Sequence, residues 1–162
     1  MQIYLSGPII HKHLRRDEFY KKVTESLEMQ GHGVFTPQFM PPTDARAIYE
    51  RDFQWVMESD LILAEVSKPS LGVGMELMLA VLEKKPVLAF YEGNIKMLSK
   101  MVRGADGITV IEYSNTDEVI EFITQHDFES MVLKKCSKCQ SWILEKRDNS
   151  FLCILCDTEV PV

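Results

Sequence analysis

The chain has 162 residues, of which 46% are hydrophobic and 26% are charged, a balance typical of a globular protein rather than a disordered one. Its formal net charge of −6 argues against a protein that coats nucleic acid. No apolar run in the sequence approaches the roughly 20 residues of a membrane-spanning helix. The N-terminus also lacks the basic opening and cleavage site of a signal peptide, so we expect a cytoplasmic protein that does not bind membranes.

Short apolar runs alternate with amphipathic segments along residues 1–127. In chain order, the apolar runs predict strands at residues 2–6, 34–36, 61–66, 86–91 and 108–111. The amphipathic segments predict helices at residues 14–30, 44–59, 73–84, 95–102 and 116–127. Because several strands are apolar on both faces and alternate with helices, we expect an α/β fold with a parallel sheet between two helical layers. Ligands of such sheets bind outside the carboxyl ends of the strands.

A glycine-rich turn at residues 69–74 connects the third predicted strand to the next helix. Its glycines, Gly72 and Gly74, allow a ligand to approach the backbone closely. The N–H groups of the helix start, together with the Ser70 hydroxyl, could bind a phosphate. Glu76 falls in the first turn of the predicted helix, where the helix dipole favours an ionised carboxylate. The turn alone fits equally well a structural loop followed by a helix-stabilising glutamate.

Asp52 lies on the apolar side of the second predicted helix. The surrounding apolar arc consists of Ile48, Tyr49, Trp55 and Val56. A carboxyl group in such a position is costly unless it is paired or functional. Partial burial favours the protonated acid, which suits a proton donor near neutral pH. The structural alternative is an internal ion pair, with Arg51 or Arg46 as the partner.

Two carboxyl groups in contrasting surroundings are the usual equipment for breaking a glycosidic bond. In that scheme the ionised Glu76 attacks the anomeric carbon and Asp52 protonates the leaving group. Water then hydrolyses the sugar ester. Tyr4, on the first strand, either hydrogen-bonds a catalytic carboxylate through its phenol or is simply packed in the core.

Four sequence signatures occur together in this chain. They are IYLSGP at residues 3–8, RDFQW at 51–55, AEVSKPSLGVGMEL at 64–77 and LSKMVRGA at 98–105. Over roughly residues 1–125 the chain resembles the nucleoside 2-deoxyribosyltransferase superfamily, in particular the 2′-deoxynucleoside 5′-monophosphate N-hydrolases. The third signature is the most specific of the four.

The resemblance implies a flavodoxin-like, doubly wound, five-stranded domain that forms a homodimer with a shared active site. It implies a nucleotide or nucleoside substrate and no cofactor for catalysis. Glu76 would be the nucleophile toward C1′, Tyr4 would orient it, and Asp52 would assist the leaving base. The implied substrate-binding positions are Gly7, Ile9, Ser70, Gly72, Gly74 and Ser99. Ser99 would reach the 5′-phosphate from the partner subunit.

The first loop departs from the pattern of the hydrolases. Pro8 stands where they typically carry a phosphate-binding serine, and Ile10 stands where an arginine is the next candidate. Pro8 offers no N–H donor; His11, His13 and Arg15 are candidate substitutes. Base exchange between deoxynucleosides therefore stays open as an alternative activity, because such transferases have similar Gly-Pro loops. A third possibility is a nucleotide-sensing module without catalysis.

All four cysteines lie in the last third of the chain, in two CxxC pairs separated by thirteen residues: Cys136, Cys139, Cys153 and Cys156. Matched pairs at this spacing predict a four-cysteine zinc ribbon with a structural metal, and a redox pair is the weaker alternative. We expect a catalytic domain at residues 1–130 and the ribbon module at residues 131–162. Basic residues in the module suggest contact with nucleic acid or with a protein partner: Lys134, Lys135, Lys138, Lys146 and Arg147.

Overall fold

A parallel sheet forms the larger part of the protein, for which a computed structural model describes residues 1–9, 15–139 and 141–161. In these ranges the strands of this sheet are β1 (Gln2–Ser6), β2 (Gly33–Phe35), β3 (Leu61–Glu65), β4 (Val87–Glu92) and β5 (Ile108–Tyr113). The helices are α1 (Asp17–Met29), α2 (Ala45–Glu58), α3 (Leu71–Leu82), α4 (Lys100–Gly104) and α5 (Thr116–Gln125). The strand order β2-β1-β3-β4-β5, parallel throughout, confirms the predicted flavodoxin-like sheet.

The sheet separates two apolar layers. Side chains alternate along β1, so that Ile3 and Leu5 pack against α1 and α5 whereas Tyr4 packs against α2 and α3. The strand order reverses its direction between β1 and β3, which places a crevice at the carboxyl ends of these strands. None of the helices in the described ranges is long and apolar enough to cross a membrane.

Two of the predicted helices differ from the structure in ways that affect candidate site residues. The predicted helix at residues 95–102 is divided into a 3₁₀ turn, Ile95–Met97, and the short helix α4, with non-helical backbone at Leu98 and Ser99 between them. Leu98 is buried, so its packing interrupts the helical path. The helix α3 begins two residues earlier than expected because Ser70 caps it, accepting a hydrogen bond from the Val73 N–H at 3.4 Å.

A second, antiparallel sheet follows α5. In the described part of this segment its strands are β6 (Met131–Leu133), β7 (Ile143–Lys146), β8 (Ser150–Cys153) and β9 (Glu159–Pro161). Three apolar residues of this segment belong to the same core as α1 and α5: Met131 of β6, Ile143 of β7 and Ile154, which follows β8. The predicted boundary at residue 130 therefore separates two sheets that share one apolar core.

Polar contacts also join the two sheets. The Trp142 N–H donates a hydrogen bond to the Thr109 hydroxyl of β5 at 3.0 Å, and the Ser141 hydroxyl lies 3.1 Å from the same oxygen. The buried Glu145 pairs with His126, which follows α5, at 2.6 Å. Thr109 is near the amino end of β5. The second sheet therefore contacts the amino ends of the parallel strands, whereas the crevice lies at their carboxyl ends.

Candidate active site

Three side chains meet at the carboxyl end of β1. Tyr4 and Ser6 are two residues apart on the strand and therefore point to the same face. The Tyr4 hydroxyl donates a hydrogen bond to Oε1 of Glu76 at 3.0 Å, and the Ser6 hydroxyl donates one to Oε2. Both oxygens of the carboxyl group are thus held by the strand. The sequence prediction missed Ser6, although the alternation that placed Tyr4 on this face also placed Ser6 there.

The surroundings of Glu76 favour its neutral form. Burial raises its pKa to about 7, and the negative charge of Asp52 adds to the increase. The hydrogen bonds from Ser6 and Tyr4 and the positive charge of Arg51 act in the opposite direction. Desolvation, rather than the expected dipole of the helix start, is the largest influence on the pKa of Glu76. With the earlier start of α3, Glu76 lies in the second helical turn, where the dipole is weak and desolvation dominates.

Asp52 of α2 is 7% exposed and paired with its neighbour in the sequence. The Arg51 Nε donates to Oδ1 of Asp52 at 2.7 Å. Of the two partners considered from the sequence, Arg51 is therefore the one found, whereas Arg46 pairs with Glu50 at 2.6 Å. Although Asp52 is paired with Arg51, its negative charge still raises the pKa values of both Tyr4 and Glu76.

Tyr4 remains a hydrogen-bond donor at any physiological pH. Burial raises the pKa of its phenol far above the ordinary value, and the negative charges of Glu76 and Asp52 raise it further. The ring lies 5.6 Å from that of Phe35, which stacks on Trp55 at 4.5 Å between ring centroids. These aromatic rings pack together beside the Arg51–Asp52 pair, because the Arg51 guanidinium lies 5.7 Å from the Phe35 centroid.

The first loop is closely packed where it leaves β1. A Cβ atom at Gly7 would lie 1.7 Å from the Tyr20 hydroxyl, so a larger residue cannot occupy this position without displacing the buried Tyr20 side chain. Pro8 is buried and Ile9 is half-buried. Ile10, His11 and His13 lie outside the described residues, so their predicted relation to a phosphate stays a prediction.

Arg15, the remaining candidate substitute, is already held by its own chain. It donates hydrogen bonds to Asp17 at 2.9 Å and to the Gln38 carbonyl oxygen at 3.2 Å. These contacts fix Arg15 at the amino end of α1, close to the first loop.

The start of α3 is open to a ligand. Gly72 and Gly74 are exposed, and a Cβ atom at Gly74 would meet no described atom within 4 Å. Ser70 caps the helix from the same end. By contrast, Ser99 is exposed before α4, and none of the hydrogen bonds among the described residues connects it to Glu76. One chain thus brings together the predicted catalytic residues but not Ser99.

Comparisons with known proteins assign the family. The family model described as "Nucleoside 2-deoxyribosyltransferase" matches residues 3–138. The chain belongs to this family. The match extends beyond the catalytic residues to β6 and Cys136, which the four sequence signatures do not reach.

Relatives of this deoxyribosyltransferase-family chain include two microbial proteins named "Putative 2'-deoxynucleoside 5'-phosphate N-hydrolase 1". The protein from Syntrophotalea carbinolica is 46% identical over 128 residues, which cover 74% of this chain and 89% of the relative. The protein from Thermofilum pendens is 33% identical over 135 residues, which cover 75% and 91% respectively.

Solved structures support the deoxyribosyltransferase fold. A CMP N-glycosidase from Clostridium botulinum superposes with a TM-score of 0.63 at 19% identity, covering 77% of this chain and 98% of its own. A 2-deoxyribosyltransferase from Bacillus psychrosaccharolyticus gives a TM-score of 0.61 at 19% identity, covering 80% and 94%. At such low identity these likenesses establish the fold alone.

On the other face of the sheet, Arg16 is part of a largely buried network of charged and polar side chains. It pairs with the fully buried Glu65 at 3.3 Å and with Glu92, and it donates a hydrogen bond to the Tyr113 hydroxyl. The Tyr113 hydroxyl in turn donates to Glu65 at 3.0 Å. Arg16 therefore ties α1 to the ends of three strands and is engaged in this network rather than in the crevice.

The cysteines of this family member form a separate cluster in which all four Sγ atoms lie within 4.8 Å of one another. The Sγ atoms of Cys136 and Cys156 are 3.8 Å apart, and those of Cys139 and Cys153 are 3.4 Å apart. Four thiolates bound tetrahedrally at about 2.3 Å from a metal would be separated by about 3.8 Å. A backbone N–H, that of Lys138, donates to the Cys136 sulfur at 3.4 Å. The cluster is suited to hold a metal ion.

Proposed function

We propose that this protein hydrolyses the N-glycosidic bond of 2′-deoxynucleoside 5′-monophosphates, releasing the free base and 2-deoxyribose 5-phosphate. The observation that carries the proposal is the Glu76 carboxyl group, fixed by Tyr4 and Ser6 at the crevice and accompanied by Asp52. The names of the Syntrophotalea and Thermofilum relatives support the same reaction.

The proposed reaction proceeds through a covalent glycosyl ester. An oxygen of ionised Glu76 forms a bond to C1′ while the C1′–N bond breaks, and its electron pair leaves with the base. The base takes a proton from solvent, relayed by Asp52 while Asp52 stays paired with Arg51. Water then adds to C1′ as a hydroxyl group and returns its remaining proton to solvent through Asp52, which frees Glu76 as a carboxylate. Oδ1 of Asp52 accepts from Arg51, so Oδ2 is the oxygen left for proton exchange.

The 5′-phosphate is proposed to bind at the start of α3. The N–H groups of the first helical turn and the Ser70 hydroxyl face an open surface there. Gly7 and Ile9 would line the sugar side of the crevice through their backbone groups. Ser99 would complete the phosphate site from the partner subunit.

A product assay over matched substrates tests the proposed activity. We expect base release from deoxynucleoside monophosphates at least about tenfold faster than from the corresponding nucleosides, since loss of the phosphate contacts costs roughly 1.4 kcal/mol or more. Ribonucleoside monophosphates provide the test of the 2′ position. Released base is measured by liquid chromatography. Absence of base release from every substrate would contradict the proposal.

Base exchange is the second candidate, and Pro8 is the observation that favours it, because this residue removes an N–H donor from the first loop. The same assay, repeated with a second free base, separates the two activities, since only a transferase forms a new nucleoside. A nucleotide-sensing module would instead bind the nucleotide tightly without turnover. The fixed Glu76 carboxyl argues against such a sensor, which needs no nucleophile.

We further propose a homodimer built on the outer faces of α2 and α3. Exposed apolar side chains on α3 are spaced for one stripe: Leu71, Met75, Met78 and Leu82. Tyr49 and Phe53 of the adjacent α2 are exposed as well. Apolar surface of this extent is characteristic of a protein interface. It adjoins Asp52 and Glu76, as a shared active site requires.

The variant Met78→Glu tests this interface. A buried charge in the stripe is expected to weaken dimerisation by about 100-fold or more, and base release should fall with it. Met29→Glu is the matched control, because Met29 is an exposed methionine on α1, on the other face of the sheet. Sedimentation velocity measures the oligomeric state. A wild-type chain that is monomeric and fully active would rule out the shared site.

For the C-terminal segment we propose a zinc ribbon, residues 131–162, with one structural Zn²⁺ bound by Cys136, Cys139, Cys153 and Cys156. Four thiolates without an open position suit zinc and leave no place for a catalytic water. Reduced cysteines of this kind suit a cytoplasmic location. Contact of the basic ribbon surface with nucleic acid or a protein partner is a further possibility for this module.

A further inference from the structure

The pairing of Arg51 with Asp52 is unusual for a helix. Neighbouring residues of a helix point in directions about 100° apart and do not face each other. Nevertheless the Arg51 Nε reaches Oδ1 of Asp52 at 2.7 Å. The guanidinium group also lies over the Phe35 ring, 5.7 Å from its centroid. Packing on this ring holds the Arg51 side chain close to its own helix, where it can reach Asp52.

Arg51 is mostly shielded from solvent. Its side chain is 24% exposed and that of Asp52 is 10% exposed. Charges in such surroundings interact more strongly than on the surface, because water screens them less. A planar guanidinium on an aromatic ring is also held in a defined orientation. The position of the positive charge is therefore fixed relative to the two carboxyl groups.

The charged and titratable groups that act on Glu76 come from two neighbouring elements. Tyr4 is on β1, and Asp52 and Arg51 are on α2. Asp52 disfavours the ionised form of Glu76, whereas Arg51 favours it. Arg51 is the only cation among the principal influences on Glu76 in the described part of the chain. A nucleophilic carboxylate beside a second carboxyl group needs such a countercharge.

We propose that Arg51 is a positioning residue, which holds Asp52 through Oδ1 and offsets its charge so that Glu76 ionises at the pH of the reaction. This inference rests on the proposed glycosidase activity. In this role Arg51 sets the pH at which Glu76 ionises and does not contact the substrate. The conservative change to lysine keeps the charge but not the planar group.

The test compares Arg51→Gln, Arg51→Lys and Arg46→Gln. Arg46 is the matched control, because it lies on the same helix but is exposed and pairs with Glu50. In Arg51→Gln we expect the acid limb of the kcat/KM profile to move up by about one pH unit, which is a tenfold loss on that limb. The loss should be much smaller above the limb. Arg51→Lys should recover most of the shift, and Arg46→Gln should show none.

A second measurement keeps this inference distinct from the proposed activity. The titration of Glu76 can be followed by NMR with ¹³C-labelled glutamate, and the signal can be assigned by its absence in Glu76→Gln. If the wild-type chain releases no base, the proposed activity fails, yet the NMR titration still reports whether Arg51→Gln raises the midpoint. An unchanged midpoint, or a rate lowered equally at every pH, would overturn the role of Arg51.

Discussion

Glu76→Gln is expected to abolish base release, with a loss of at least about 1000-fold. The amide keeps nearly the same shape and can still contact Tyr4 and Ser6, but it cannot form the glycosyl ester. Nucleotide binding should survive, because the proposed phosphate site lies at the start of α3. Liquid chromatography measures the released base and calorimetry measures binding.

The matched control for this variant is Glu83→Gln. Glu83 caps the carboxyl end of the same helix and is exposed, so its substitution should leave the rate within about twofold. Full activity in Glu76→Gln would contradict the covalent mechanism. Loss of activity in both variants would point to a disturbed helix instead.

Glu76→Gln should also be more stable than the wild type at pH 8. The folded-state pKa, about 7, lies above the ordinary value of 4.5, so ionisation of Glu76 costs folding free energy as the pH rises between these values. The amide avoids this cost, which amounts to at most about 3 kcal/mol. Below pH 4.5 both states hold the proton and the advantage should disappear. Thermal melts at pH 4 and pH 8 show whether the variant is folded and whether the sign is right.

Much of the fold follows from the periodicity of the sequence. Strands β3 and β4 are nearly continuous apolar runs, so their burial between two helical layers was predictable. The division of the fourth predicted helix was not. Its amphipathic pattern continues through Leu98, and the burial of that side chain depends on contacts with distant parts of the chain.

The candidate site shows the same limit. Asp52 and Glu76 could be singled out locally, as a carboxylate on an apolar arc and one after a glycine-rich turn. The raised pKa of Glu76 could not be predicted, because desolvation depends on how α3 packs against β1. The ion pair between Arg51 and Asp52 also required the position of Phe35, which lies on β2. The effect of one charged side chain on another can be predicted only when the fold fixes the distance between them.

Removal of the proposed zinc is expected to destabilise the whole protein rather than the ribbon alone. Cys136 and Cys153 are completely buried, and Met131, Ile143 and Ile154 beside them complete the core formed by α1 and α5. Without a metal the short sheet loses the interaction that folds it, so this part of the core becomes exposed. We expect the melting temperature to fall by about 10 °C or more, which corresponds to several kcal/mol.

The position of the ribbon separates this structural role from catalysis. Its contacts with Thr109 lie near the amino end of β5, whereas Glu76 meets Ser6 at the carboxyl end of β1. The chelated protein, or the variant Cys136→Ser, should therefore keep its rate within about twofold at temperatures where it remains folded. Elemental analysis should find one zinc per chain, and added zinc should restore the melting temperature of the chelated protein but not of the variant. A metal-free chain with disulfides and an unchanged melting temperature would instead identify the cysteines as redox pairs.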